Sequence, residues 1–312
     1  MRVFVVGSIN IDSLYRVHVL PGPGETAIAR AADENPGGKG ANQAVAAASG
    51  GASVVLVGAA GYDSDGTLAY LRGRGVDVGS VSVRPDAPTG RALVFVDDAS
   101  ENSIVVIPGA NCTMTDADVE HGLRTLSSDD VVVLQSEISE DATLAASAVG
   151  RRVGARVIWN AAPVPADAAA IPPVDLLVVN EHELRAIAVL IDGTGDSPRD
   201  DATSLAQWVA TEMHCDLVCT QGAEPSIWVT SAERGFVSPL PTEVVDTTAA
   251  GDTVVGYLAA LVDRPLAHAL RVATAAAAIT VSRAGASSTI PLLADVEAFA
   301  GRASGESANP RQ

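Results

Sequence analysis

The sequence predicts a doubly wound α/β protein, with a mostly parallel central sheet flanked by helices and a small antiparallel β lid. Three observations predict it. Short β-branched runs recur, each followed by a polar or glycine turn and then an alanine-rich stretch of helical length. Hydrophobic residues make up 47% of the chain and aromatics only 4%, so Ala, Val and Leu must fill the interior. Two stretches, 13–35 and 90–107, break the alternation and carry their own paired strand runs.

In chain order, Val3–Val6 reads as a first buried strand because four apolar residues, three of them valine, precede a Gly turn. The segment 13–35 folds back about Pro21-Gly22-Pro23-Gly24 as an antiparallel pair. Helix Gln43–Ser49, strand Val54–Val57 and helix Thr67–Arg74 follow. The second break holds the runs Arg91–Val96 and Ser103–Ile107 about a turn at Asp97-Asp98-Ala99-Ser100, and the two breaks together read as one sheet hinged onto the main body. Strands are then expected at Val131–Leu134, Val157–Trp159, Leu176–Val179 and Leu217–Cys219. The intervening and closing helices are expected at Thr143–Arg152, Glu181–Leu190, Leu205–Thr211, Thr253–Val262 and Leu266–Arg283. The acidic segment Asp192–Asp201 reads as a solvated loop. One domain over 1–303 with a flexible tail at 304–312 completes the expectation.

Composition excludes several functions. A net charge of -18 repels nucleic acid and anionic membranes, so any phosphorylated ligand must be held by local positive features. Few aromatics disfavour a base-stacking surface. Three cysteines without a paired framework fit a reducing cytoplasm. The opening Met1–Gly7 reaches Asn10 and Asp12 too soon for a signal peptide. Ala267–Val281, the most apolar tract, is too short and polar to span a bilayer.

Nineteen arginines accompany one lysine, Lys39, inside Pro36-Gly37-Gly38-Lys39-Gly40-Ala41-Asn42-Gln43. Where arginine supplies every ordinary positive charge, a lone slender ammonium among glycines points to ligand contact. Asp246-Thr247-Thr248-Ala249-Ala250-Gly251-Asp252 precedes a helix, and its small residues leave amide N–H groups bare where the helix dipole favours an anion. A carboxylate at Asp252, beside an anion site, reads as a general base against a substrate hydroxyl, with a first-turn acid as the alternative. Asn180 and Glu183 have capping-box spacing, the preferred reading of those two alone. Asn10, Asp12 and Glu137 close strand runs and suit sugar hydroxyls. Gly38-Lys39-Gly40 lacks the upstream Gly of a P-loop, no dinucleotide fingerprint follows the first strand, and there is no Gly-x-Ser-x-Gly elbow. His214, Cys215 and Cys219 lack a second ligand pair, so packing is preferred over a metal.

With those residues in hand, the chain resembles the ribokinase branch of the PfkB carbohydrate kinase family. Gly7–Asp12, Pro23–Thr26, Gly37–Ala44, Glu101-Asn102, Pro108–Asn111, Leu134–Glu137 and Asp246–Asp252 carry the likeness, over about Val3 to Ala300. The resemblance implies that Asn10, Asp12, Gly38, Lys39, Gly40, Asn42 and Glu137 hold the sugar, that Asp252 takes the proton from its hydroxyl, and that Ala250 and Gly251 amides form the anion hole. It further implies that Asn180, Glu183, Thr220, Gln221, Gly222, Gly251 and Thr274 border ATP, with Glu183 supporting Mg2+ indirectly. A monovalent cation, usually K+, would lie at Asp246, Thr248, Thr280, Arg283, Gly285 and Thr289. A homodimer through the lid is also implied, and apolar residues on both faces of Leu93–Val96 suit it. The activity implied is ATP-dependent phosphorylation of D-ribose at its 5-hydroxyl. Alternatives are a kinase for deoxyribose, a ketohexose or an adenosine-like nucleoside, and a sugar sensor weak in catalysis. The chain departs from the family pattern at Ala249 and at Ala223-Glu224-Pro225, where Glu224 adds negative charge to the nucleotide loop.

Overall fold

Runs too apolar for a solvated face form the centre of a nine-stranded sheet in the computed structural model, which describes residues 1–99, 101–193, 195 and 199–306. The amino-terminal part comprises β1 (Arg2–Val6), β2 (Asn10–Arg16), β3 (Ala31–Gly37), α1 (Lys39–Ser49), β4 (Ser53–Gly61), α2 (Asp65–Gly73), β5 (Val76–Arg84), β6 (Gly90–Val96) and β7 (Asn102–Ile107). The middle continues with α3 (Asp116–Gly122), β8 (Val131–Leu134), α4 (Glu140–Val153), β9 (Arg156–Asn160), β10 (Leu176–Asn180) and α5 (Glu181–Asp192). The remainder is α6 (Ala202–Met213), β11 (Asp216–Gln221), β12 (Glu224–Val229), β13 (Arg234–Val237), α7 (Ala250–Ala260), α8 (Leu266–Val281) and α9 (Leu293–Glu306).

Strand order is β13-β12-β11-β10-β9-β8-β1-β4-β5, parallel from β11 to β5 and antiparallel at β12 and β13. The chain winds outward through β4 and β5 on one side of β1, then through β8 to β11 on the other. Loops leaving the carboxyl ends of β1 and β8 therefore flank the point where winding reverses, the place such sheets bind ligands. One apolar layer joins the sheet to α1, α2, α7, α8 and α9; a second joins its opposite face to α3, α4, α5 and α6. Gly256 of α7 lies against Ala46 and the Gln43 carbonyl of α1, leaving no room for a Cβ. That contact brings the first turns of the two helices together. No helix of the described residues is long and apolar enough to cross a membrane.

The two interrupting segments form one four-stranded sheet in the order β3-β2-β6-β7, each an antiparallel pair as expected. The seam between them, β2 against β6, is parallel. Asn10 and Asp12, expected in a turn after the first strand, belong to β2, because backbone pairing with β3 and β6 on both sides outweighs their weak strand preference. Strands β5, β12 and β13 and helices α3 and α9 had no expectation. Helix α9 runs to Glu306, into the expected tail, and 307–312 lie outside the described residues. So do Ser100 of the second lid turn and parts of the acidic loop.

Candidate active site

Helix α7 begins at an unusual backbone. Ala249 has φ 60, a left-handed conformation that favours glycine, and it starts the helix without any side-chain cap. Asp252, in the first turn, is 6% exposed. Its oxygens accept from α1: Asn42 Nδ2 donates to Oδ2 at 2.9 Å and Gln43 Nε2 to Oδ1 at 2.9 Å. Asp252 is the acid of the first turn of α7, and among the described residues its side-chain hydrogen bonds go to α1 and not to the amides of its own helix. Gln43 Nε2 also donates to Asn160 Oδ1 at 3.1 Å, and Gln43 Oε1 accepts from Gln135 Nε2 at 2.7 Å.

The glycine-lysine loop wraps the end of β1. Gly38 has φ 89, and a Cβ on Gly40 would strike the backbone of Gly7 and Ser8, so only glycine lets α1 start this close to β1. Glu137, from the loop after β8, accepts from Ser8 Oγ at 2.6 Å and Lys39 N at 3.0 Å. Asn111 Nδ2 donates to Asn10 Oδ1 at 2.8 Å, tying that residue to the strand exit of the lid. Asp12 lies over Gly37, where a Cβ would displace its carboxylate. Asp12 Oδ1 and Asn42 Oδ1 are both buried without a hydrogen-bond partner. Burial, followed by the charges of Glu137 and Asp252, raises the Asp12 carboxyl from 3.8 to about 7. Lys39 shifts the other way in charge terms: Asp252 above all, then Glu137 and Glu183, hold its ammonium above the usual lysine value against burial.

Lys39, Asn160, Ala162, Val178, Val179, Asn180, Glu183, Thr220, Thr247 and the start of α7 from Ala249 to Asp252 line a cavity of about 220 Å³. It adjoins the carboxyl ends of β9, β10 and β11. Asn180 and Glu183 form the full capping box, Asn180 N donating to Glu183 Oε2 at 2.8 Å and Glu183 N to Asn180 Oδ1 at 2.9 Å. Burial pushes the Glu183 carboxyl up despite that donor and Lys39. At the start of α7, the Ala250 amide donates to Thr247 O at 3.2 Å, whereas Gly251 and Asp252 amides have no backbone acceptor among the described residues.

Other expected positions lie beyond this cavity wall. Gln221 and Gly222 occupy the tight β11–β12 hairpin, where Glu224 pairs with Gln221 and opens β12. Thr274, on α8, is buried with its hydroxyl unpartnered. Of the expected cation positions, Asp246, Thr248 and Gly285 come together. Asp246 accepts from Thr248 N at 2.9 Å and from Gly285 N at 3.0 Å, and the loop docks through Val245 and Asp246 amides on the Val281 carbonyl. Burial works to raise the Asp246 carboxyl, but the Thr248 and Gly285 donors, with the charge of Arg16, hold it below its ordinary value. An ionised carboxylate in this loop is an oxygen ligand of the kind a hard cation takes.

Sequence reasoning passed over Gln43, Gln135, Asn160, Ser8 and Asn111 as site residues. A polar residue closing a β-branched run, the signal that selects Glu137, also selects Gln135 and Asn160. Cys219 is buried in β11, its thiol pushed up to about 12 by burial. A larger cleft of about 1150 Å³ sits at the opposite, amino ends of β9 to β11. Its aspartates pair with arginines, Arg151 with Asp175 at 3.4 Å and Arg156 with Asp216 at 3.2 Å, and none of the converging polar groups reaches it.

A family model described as pfkB family carbohydrate kinase matches residues 1–293. The bifunctional ribokinase/ribose-5-phosphate isomerase A of Fructilactobacillus sanfranciscensis is 33% identical over 93% of this chain, which spans about half, 54%, of that longer relative. The ribokinase of Schizosaccharomyces pombe is 31% identical over 95% of this chain and 97% of its own length, and the deoxyribokinase of Salmonella typhi is 31% identical over 93% and 96%. Among solved structures, the ribokinase of Thermotoga maritima superposes with a TM-score of 0.87 at 33% identity, covering 96% of this chain and 99% of that one. The Arabidopsis thaliana ribokinase complexed with ribose and ATP superposes with a TM-score of 0.82 at 29% identity, covering 96% and 98%.

Proposed function

The chain belongs to the pfkB family of carbohydrate kinases, and on that premise we propose that it transfers the terminal phosphoryl group of ATP to the 5-hydroxyl of D-ribose. One observation carries the reading. The Asp252 carboxylate, fixed by donors from α1, stands at the open amides of α7, while Asp12 Oδ1 and Asn42 Oδ1 nearby are buried and unpartnered. Buried acceptors without donors are costly unless a ligand supplies them, and sugar hydroxyls are donors.

In the proposed reaction the sugar oxygen attacks phosphorus, its proton passes to Asp252, and the bond to the ADP oxygen breaks. Asn10, Asp12, Gly38, Gly40, Asn42 and Glu137 hold the sugar; Gly251, with Ala250 once its amide leaves Thr247, receives the travelling phosphoryl oxygens. Asn180, Glu183, Thr220, Gln221, Gly222 and Thr274 border the nucleotide. Magnesium, when bound on the Glu183 side, would supply charge neutralisation of the phosphates. A potassium-type ion fits the Asp246, Thr248, Thr280, Arg283, Gly285 and Thr289 loop, where it would steady the start of α7. A homodimer joined through the lid in the cytoplasm belongs to the same proposal, supported by the exposed Ile104, Val105 and Val106 of β7. A monomeric mass by light scattering would remove the dimer.

The deciding experiment is ADP release with D-ribose, 2-deoxyribose, a ketohexose and a nucleoside. D-ribose is expected to give the highest kcat/KM, and a higher value for 2-deoxyribose would favour the deoxyribokinase reading that the Salmonella relative keeps open. Lys39→Arg is expected to cost about 100-fold in kcat/KM, because a broad planar guanidinium displaces groups in a small cavity where an ammonium is matched to Asp252. An enzyme unchanged by that substitution would return Lys39 to an ordinary surface charge.

A further inference from the structure

We infer that Gln43, fully buried and absent from the cavity wall, is a positioning residue for Asp252 whose donor direction is dictated by the backbone of β10. The inference rests on the reading of Asp252 as base. A backbone carbonyl can only accept, so Asn160 must turn its Nδ2 to Val178 O, at 3.1 Å, and its Oδ1 toward Gln43. Gln43 must then present Nε2, and the same amino group reaches Asp252 Oδ1. Its Oε1 is left for Gln135 Nε2.

Reversing the Gln43 amide would set oxygen against the Asp252 carboxylate and Asn160 Oδ1, and nitrogen against the Gln135 amino group. Gln43 and Gln135 are fully buried and off the cavity wall, so water cannot relieve the mismatch at either of them. The relay therefore runs one way. Space for it is built in, since a Cβ on Gly7 would overlap the Gln135 amide. With Asn42 on the other oxygen, each carboxylate oxygen has one fixed donor, and rotation of the carboxylate breaks both. The remaining lone pairs stay aimed at the incoming alcohol. The charged groups that feel Asp252 are Lys39, Asp12 and Glu183, and none of them is bonded to Gln43, so the relay acts by orientation and not by charge.

Gln43→Met keeps the volume and removes both polar ends. It is expected to lower kcat by about 10- to 100-fold, the worth of a hydrogen bond to a charged group, while KM for D-ribose and ATP stays within about threefold. Gln135→Met, one step removed, should lower kcat less and in the same direction. A kcat within about twofold of the parent in both variants, or a loss that falls wholly in KM, overturns the inference. Should Gln43→Met fail to fold, Gln135→Met decides by the same two criteria. An Asp252→Asn enzyme with near-parental turnover sinks the base reading itself, whereas an inactive Asp252→Asn beside a fully active Gln43→Met sinks only the positioning role.

Discussion

Asp252→Asn is expected to lower turnover by roughly two to four orders of magnitude while the protein still binds D-ribose. An amide keeps the volume of the carboxylate but has no affinity for the alcohol proton, so the sugar settles and the transfer stalls. The structure adds a second consequence. Asn42 and Gln43 both donate to Asp252, and an asparagine there offers one acceptor oxygen where the carboxylate offers two. One of the two donors is left facing an amino group, so ribose affinity should fall by less than about tenfold and the substitution should cost on the order of 1–3 kcal/mol in stability. An ADP-release assay and calorimetric titration with ribose separate the two effects. Turnover within about tenfold of the parent would remove Asp252 as the base.

The sheet was legible because its central strands are apolar on both faces, which gives Val3–Val6 or Val131–Leu134 an unbroken signal. Strand β3, Ala-Ala-Asp-Glu-Asn-Pro-Gly, has almost no intrinsic strand character and is mostly exposed; its partner β2 holds it, so its register was hidden. The family resemblance places Glu224 in the nucleotide loop, and the pairing of β12 with β11 there, which makes the stretch a hairpin, is not announced by residue type. At the site, Lys39, Asp252 and the glycines announced themselves by residue type. Gln43 and Gln135 did not, since a glutamine's role depends on which way its amide points, and that is fixed by a β10 carbonyl more than 40 residues beyond Gln135 and more than 130 beyond Gln43. The capping reading of Asn180 and Glu183 holds in the geometry, and the same pair also lines the cavity.

Asp12→Asn is expected to stabilise the ligand-free protein, and by more at pH 8 than at pH 5. The Asp12 carboxyl is raised from 3.8 to about 7 by burial first, then by Glu137 and Asp252. Between those values the folded chain keeps a proton that the unfolded chain has released, so stability falls as pH rises from about 4 to about 7 and the full penalty stands above it. Asparagine has nothing to titrate. The stability difference between variant and parent should therefore grow by on the order of 2–3 kcal/mol between pH 5 and pH 8, read from urea unfolding at the two values. Other shifted groups, such as Glu183, remain in both proteins and cancel in the comparison. An equal difference at both pH values would mean that Asp12 titrates normally in the folded protein. The same substitution should weaken ribose binding, because a donor takes the place of one of the two acceptor oxygens of a side chain whose Oδ1 is buried and unpartnered. Stability gained together with affinity lost is the behaviour of a buried carboxylate kept for a ligand, since one kept for the fold would lose stability when neutralised.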